Sequence, residues 1–164
     1  MKDVTFICIV HNTLELFKNC YESVRKFHPE TLFIIVDGSD INDPCRAYVE
    51  SLAGPYNMLM LAPDNLGHGR GMDLAISQVK TKYALIMDSD IIMVKSPVQE
   101  MIDMMEPDTY GVGYLEKTGL DGYEYVAHAN HKNEDFMMMM HPFFHLLQIS
   151  EYYKFAPYCH HGAP

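Results

Sequence analysis

The stretch Tyr83-Ala84-Leu85-Ile86-Met87-Asp88-Ser89-Asp90 decides how this chain reads. Five largely apolar residues run straight into two acids one residue apart. A short apolar run of this kind reads as a strand buried on both faces, with the carboxylates where the strand leaves the sheet. Acids beside a core are costly unless a cation or hydrogen-bond donors compensate them. A hard divalent cation that also takes a phosphate ligand supplies that compensation. An isolated Asp-x-Asp fits a turn of solvated acids as well, so the motif draws its weight from the rest of the chain.

Upstream, the same pattern repeats. Val4 to Val10 reads as a buried strand with His11-Asn12-Thr13 as its exit loop. Leu14, Phe17, Tyr21, Val24 and Phe27 fall at helical spacing and predict a helix from Leu14 to Phe27, capped by Thr13 and ended by His28-Pro29. Thr31 to Val36 reads as a second strand that ends in Asp37-Gly38-Ser39-Asp40. Asp43 caps a short helix with Pro44 at its first position, running to about Leu52. Asn57 to Leu61 is a third strand. The glycine-rich loop Asn65-Leu66-Gly67-His68-Gly69-Arg70-Gly71 then opens a helix over Met72 to Val79.

Downstream, Ser96-Pro97-Val98-Gln99 has the form of a capping box and starts a helix to about Met105. Thr109 to Leu115 and Tyr123 to His128 read as further strands. Alternating strands and helices imply an α/β fold: a Rossmann-like, mostly parallel sheet with helices on both faces. No repeat or linker divides the chain, so residues 1–164 form a single domain. Such sheets bind ligands outside the carboxyl ends of their strands. Asn12, Asp37, the glycine loop and the Asp88/Asp90 pair all follow strand ends, which gathers them on one rim.

Composition bounds the function. Hydrophobic residues make up 48% of the chain and charged residues 21%, the balance of a globular domain. The formal net charge of -10 argues against nucleic acid or an anionic membrane surface as the main partner. Val4 to Val10 is too short for a transmembrane segment or a typical signal peptide. The cysteines at 8, 20, 45 and 159 form no C-x-x-C pair, so a reduced, cytoplasmic protein is the simplest reading. An anionic substrate in so acidic a protein needs local compensation. A cation, backbone N–H groups or Arg70 can provide it. The glycine loop is Gly-x-Gly-x-Gly after the third strand, rather than Gly-x-Gly-x-x-Gly after the first, which counts against a nicotinamide site. Its glycines let backbone approach a ligand, and the helix behind it offers an N-terminus to an anion; a glycine-rich turn with no ligand fits equally.

From Val4 to about Pro97 the chain resembles a family-2-type glycosyltransferase with the GT-A fold. The resemblance rests on Ile-Val-His-Asn at 9–12, Ile-Ile-Val-Asp-Gly-Ser-Asp at 34–40, Asn-x-Gly-x-Gly-x-Gly-Met-Asp-Leu-Ala at 65–75 and Leu-Ile-Met-Asp-Ser-Asp at 85–90, in that order. It implies transfer of a sugar from a nucleoside-diphosphate sugar, UDP- or GDP-linked, to a saccharide or other hydroxyl acceptor, with inversion. Residues 1–97 would be the nucleotide-sugar-binding half and 98–164 a partial acceptor half.

By the same resemblance, Asp37 contacts the nucleobase near His11, Asn12 and Thr13. Asn65, Gly67, Gly69 and Arg70 line the nucleotide site. Asp88 lies near the ribose or the metal, and Asp90 binds Mn²⁺ or Mg²⁺. Asp135, with Glu134, is the general-base candidate, and His160 and His161 are late additions to the metal shell.

The chain departs from the family pattern at three points: a shortened Val-Asp-Gly-Ser-Asp motif, Asp73 where asparagine is usual, and a short second half, which points to a truncated or minimal form. His141 and His145 stand four apart, and Pro142 in a helix's first turn would put both on one face. Phe143, Phe144, Tyr152, Tyr153 and Tyr158 suit either an acceptor face or the core. Two rival functions remain. One is a nucleotidyltransferase, which usually carries a lysine-bearing glycine loop after the first strand, where this chain has His11-Asn12-Thr13. The other is a non-catalytic sugar-nucleotide-binding domain. Homo-oligomerisation stays open.

Overall fold

The computed structural model describes residues 2–119, 136–155 and 157–158. Six strands form one sheet: β1 (Val4–Val10), β2 (Phe33–Asp37), β3 (Asn57–Leu61), β4 (Tyr83–Asp88), β5 (Gly111–Gly119) and β6 (Phe136–Gln148). Their order is β3-β2-β1-β4-β6-β5. The first four are parallel, and β6 runs antiparallel to both β4 and β5.

Alternation along each strand builds two cores. Phe6, Cys8, Phe33, Ile35, Leu85 and Met87 point to one face. They pack there against α1 (Leu14–Phe27), α2 (Pro44–Ser51) and α4 (Val98–Asp103) through Phe17, Val24, Cys45, Val49 and Val98. Ile7, Ile34, Val36, Ala84 and Ile86 point to the other face, against α3 (His68–Ile76) and α5 (Ile149–Tyr152) through Met72, Ala75, Ile76 and Tyr152. Burial on both sides is why these strands are nearly continuous apolar runs. Each fully buried Ile, Leu or Phe contributes about 1.5–3 kcal/mol.

Several local expectations hold. Asp43 Oδ1 accepts a 2.8 Å bond from the Cys45 N–H, with Pro44 opening α2. Others are corrected. Thr13 precedes α1 but makes no side-chain cap bond; its hydroxyl donates instead to Ser89 Oγ at 3.2 Å. Ser96 caps nothing, because its hydroxyl is engaged by His28 Nε2 at 2.7 Å, and α4 begins after Pro97 and ends at Asp103. α3 begins inside the glycine loop, at His68, and ends at Ile76.

The largest correction is at His141 and His145. They lie on β6, not on a helix. Tertiary pairing overrides the local pattern: Phe144 to Gln148 pair with β4, and Phe136 to Met140 pair with β5. The β5–β6 register slips between Gly113/His145 and Leu115/Met140, and Pro142 falls in that irregular stretch, where its missing N–H costs no ladder bond. The strand expected over Tyr123 to His128 lies outside the described residues. No helix among those described is long and apolar enough to cross a membrane.

Candidate functional site

β1 and β4 are neighbours, with Ile9 opposite Asp88 at their carboxyl ends. From there the two chains diverge into different crossovers, and the divergence leaves a crevice at the sheet's rim. A cleft of about 370 Å³ occupies it. Its walls come from three segments: Ile9 to His11 and Thr13 after β1; Asn65, Gly67 and His68 after β3; and Asp88, Ser89 and Asp90 after β4.

Two loops at one end of the cleft are latched to each other. Asn12 takes a left-handed conformation, φ 52°, which asparagine tolerates better than most residues. Its backbone N–H donates to Ser39 Oγ at 2.8 Å and its Nδ2 donates to Asp40 Oδ2 at 2.9 Å. The Asp40 N–H returns a 3.0 Å bond to Asn12 Oδ1. His11 Nδ1 stands 2.9 Å from the Gly38 carbonyl oxygen, which can only accept, so Nδ1 carries the proton.

Asp37 is turned inward from this rim. Its side chain is 0% exposed, with Oδ1 accepting from the Ser39 N–H at 2.9 Å and Oδ2 3.2 Å from Arg46 Nε. The Arg46 Nη2 donates to the Ser39 and Ala62 carbonyls at 2.6 and 2.5 Å. In this arrangement the Asp37 carboxylate holds the loop together and does not line the cleft.

The glycine loop supplies the opposite wall. Asn65 Oδ1 accepts from the Gly67 N–H at 2.8 Å, and Gly67 takes φ +72°, a value that favours glycine. This turn aims the first turn of α3 at the cleft. Gly69 and Arg70 sit within that first turn, outside the lining, and Arg70 is exposed.

His68 was not singled out from the sequence. Its Nε2 lies 3.1 Å from Asp88 Oδ1, and both side chains are about one-third exposed. The signal was present, since a histidine between two glycines at a helix start must stand at the loop's crest. Ser89, accepting the Thr13 hydroxyl, was likewise missed.

Asp88 and Asp90 therefore share the cleft with His68. Among the described residues no three histidine, cysteine or acidic side chains converge as a complete metal cage. His141 and His145 do not form a site together. His141 Nε2 is 3.6 Å from Glu116 Oε2, whereas His145 is buried and hydrogen-bonded to the Tyr158 hydroxyl at 2.9 Å. Burial pushes the His145 imidazole down to about 4, so it is neutral at ordinary pH. Phe144 and Tyr152 pack into the two cores, while Tyr153 is exposed and Phe143 lies 6.0 Å from the Tyr114 ring. Glu134, Asp135, His160 and His161 lie outside the described residues.

A mostly parallel six-stranded sheet with an acid pair and a helix start at its switch point is the architecture of the GT-A glycosyltransferase fold. Residues 5–164 match Glycosyl transferase family 2, and the chain belongs to that family. It is 34% identical over 85 residues to the Beta-1,4 N-acetylgalactosaminyltransferase 1 of Homo sapiens, a match covering 51% of this chain and 15% of that relative. The chain thus spans a small part of the curated relatives it matches.

Among solved structures, the mannosyltransferase PcManGT from Pyrobaculum calidifontis, in complex with GDP-Man and Mn²⁺, superimposes with TM-score 0.58 at 16% identity, covering 70% of this chain and 35% of that one. The S. aureus TarS 1-349 structure gives TM-score 0.58 at 16% identity, covering 92% and 48%.

Proposed function

We propose that the cleft binds a nucleoside-diphosphate sugar together with a divalent cation, and that the chain transfers the sugar to a hydroxyl acceptor. One observation carries the reading: Asp88, Asp90 and the first turn of α3 line a single cleft at the ends of β1 and β4. The acids suit a cation, and the helix start suits the diphosphate.

The donor set fits Mn²⁺ or Mg²⁺. Two carboxylates are hard oxygen ligands, and such ions commonly keep one or two carboxylates and fill their remaining positions with water and substrate phosphate. Asp90 would hold the ion, with Asp88 beside it. When bound, the ion neutralises charge that gathers on the diphosphate as it leaves. His160 and His161 remain candidates for the same shell.

The chain's own residues supply the rest. The His11 to Thr13 loop, held from outside the cleft by its bonds to Gly38, Ser39 and Asp40, presents a fixed wall to the nucleobase and ribose. Asp37 supports that wall from behind through Arg46. Asn65 and Gly67 shape the turn on the facing wall. The α3 dipole opposes the acidity of the protein at the point where the diphosphate would sit, and Arg70 in that turn adds a positive charge nearby.

An acceptor hydroxyl attacks the anomeric carbon from the side opposite the leaving diphosphate, so the configuration inverts. A carboxylate takes the hydroxyl proton; Asp135 is the candidate, with Glu134 beside it. The sugar named in the human relative makes UDP-N-acetylgalactosamine the first donor to try. Phe143 and Tyr114 offer aromatic surface for a saccharide acceptor.

Calorimetric titration of UDP and GDP, with and without Mn²⁺, tests the reading. Binding of one nucleotide that requires the metal, and that disappears in Asp90→Asn, is the expected result. Binding of neither by the folded protein would overturn it. Binding without turnover of any donor would favour a sugar-nucleotide-binding domain that does no chemistry.

A further inference from the structure

Asp73 lies outside the cleft lining, yet on α3, the helix whose first turn lines it. Its carboxylate accepts from the Tyr152 hydroxyl and, at 2.9 Å, from the Tyr158 N–H. Tyr158 continues the chain of contacts. Its hydroxyl is 2.9 Å from His145 Nε2, and its ring lies 5.4 Å from that of Tyr152 and 6.0 Å from the His145 ring. Tyr110, just ahead of β5, is hydrogen-bonded to Tyr158 as well.

His145 in turn pairs with Ile86 on β4, two residues before Asp88. One polar network therefore joins the segment after β6 to α3 and to His145 on β6, the strand that pairs with β4; α3 and β4 both contribute walls of the cleft. Tyr152 is 4% exposed and His145 1%, so these bonds are shielded from water and cannot be exchanged cheaply for solvent.

We propose that Asp73 is a positioning residue for the transfer reaction: it ties Tyr152 and Tyr158 to α3 and, through Tyr158, fixes His145 on β6, beside the strand that carries Asp88. The proposal rests on the glycosyltransferase reading above, and it also explains why an acid is tolerated here. Two donors converge on a single carboxylate oxygen, and an asparagine Oδ1 can accept both.

Three variants of the full chain test this: Asp73→Ala, Asp73→Asn and Tyr158→Phe. Each is checked by circular dichroism and then by hydrogen–deuterium exchange, by calorimetry with UDP and Mn²⁺, and by UDP release from UDP-N-acetylgalactosamine. In Asp73→Ala, exchange should rise over Ile149–Phe155 and also over Gly67–Met72 and Ile86–Asp88. UDP release should fall about tenfold at saturating donor, with the dissociation constant for UDP within about twofold of the parent. Asp73→Asn should restore both exchange and turnover. Tyr158→Phe keeps the N–H bond to Asp73 and removes the hydroxyl from His145. It should leave Ile149–Phe155 protected while lowering turnover.

Faster exchange confined to Ile149–Phe155, with normal turnover, would reduce Asp73 to a structural anchor and overturn the proposal. Parental turnover in Tyr158→Phe would do the same for the route through His145. If Asp73→Ala does not fold, the other two variants decide. If the parent itself binds neither UDP nor GDP, the glycosyltransferase reading has failed, and the spread of exchange to the cleft walls judges the coupling alone.

Discussion

His68 Nε2 and Asp88 Oδ1 face each other at 3.1 Å where α3 begins and β4 ends. The contact links two cleft walls that are 20 residues apart in sequence (88 − 68) and fixes the rotamer of an acid proposed to sit beside the metal. Partners of this kind orient metal-site carboxylates, and their loss typically costs 10–100-fold in affinity. His68→Ala should weaken Mn²⁺-dependent UDP binding by about tenfold while leaving the unfolding midpoint nearly unchanged, because both side chains are partly solvated. Calorimetry on the variant measures the first and a urea titration the second. An unchanged UDP affinity would mean that Asp88 is held well enough by β4 alone.

The Asp37–Arg46 pair predicts the opposite balance. Both groups are shielded, at 0% and 9% side-chain exposure, and Arg46 also closes the Ser39 and Ala62 carbonyls. Removing one partner of a buried pair costs about 3–5 kcal/mol, since the other charge stays buried and uncompensated. Arg46→Met should lower stability by that amount in urea unfolding. Asp37→Asn added to it should recover part of the loss, because the stranded charge is then gone. Simple additivity of the two substitutions would contradict the pairing.

How much of this was legible varies along the chain for physical reasons. β1, β2 and β4 were readable because strands buried on both faces must be apolar throughout, and Phe6 to Cys8, Phe33 to Val36 and Ala84 to Met87 are. The rim was readable because polar residues at strand ends have few other places to go. β6 was not. Its apolar residues carry no alternation that separates strand from helix, and its identity depends on pairing with β4, some 60 residues earlier in the chain (Leu146 opposite Leu85). Asp37 shows a second limit. Its position at a strand end was legible, but its direction was not, because Arg46 captures it from a neighbouring helix. Likewise, Ser96 had the spacing of a cap, and His28 captured it.

The buried His145 gives the protein a pH dependence of known sign. Burial lowers its folded-state value to about 4 from an ordinary 6.5, with the nearby His68 lowering it further and the Pro142 backbone and Asp88 opposing. Above 6.5 both folded and unfolded chains carry a neutral imidazole, and the full stability is present. As pH falls from 6.5 towards 4 the unfolded chain takes up a proton that the folded one refuses, so stability is lost across that window, on the order of 3 kcal/mol in all. Carboxylates titrate over part of the same range, so the measurement is a difference. Urea unfolding of the parent and of His145→Asn from pH 7 to pH 4 should show a shallower decline in the variant. Parallel curves would mean that His145 is hydrated or protonated in the folded state.

Gly71 sets how closely α3 approaches β1. A Cβ there would meet Ile9 Cγ2 at 2.9 Å and two further Ile9 carbons at 3.3 Å. Ile9 is β-branched and stiff at χ1, so the methyl cannot simply swing aside. Gly71→Ala gains about 1 kcal/mol of helix propensity and loses about 1–3 kcal/mol to overpacking, so a net loss of about 1 kcal/mol is expected. The functional loss should exceed the structural one. Ile9 lines the cleft and lies opposite Asp88 in the sheet, so displacing it shifts both the wall and its acid. UDP affinity in Gly71→Ala should therefore fall, and Ile9→Ala in the same chain, which removes the clashing carbons, should return the unfolding midpoint towards that of Ile9→Ala alone. If the pair of substitutions is no better than Gly71→Ala, the helix is kept close to β1 by something other than this contact.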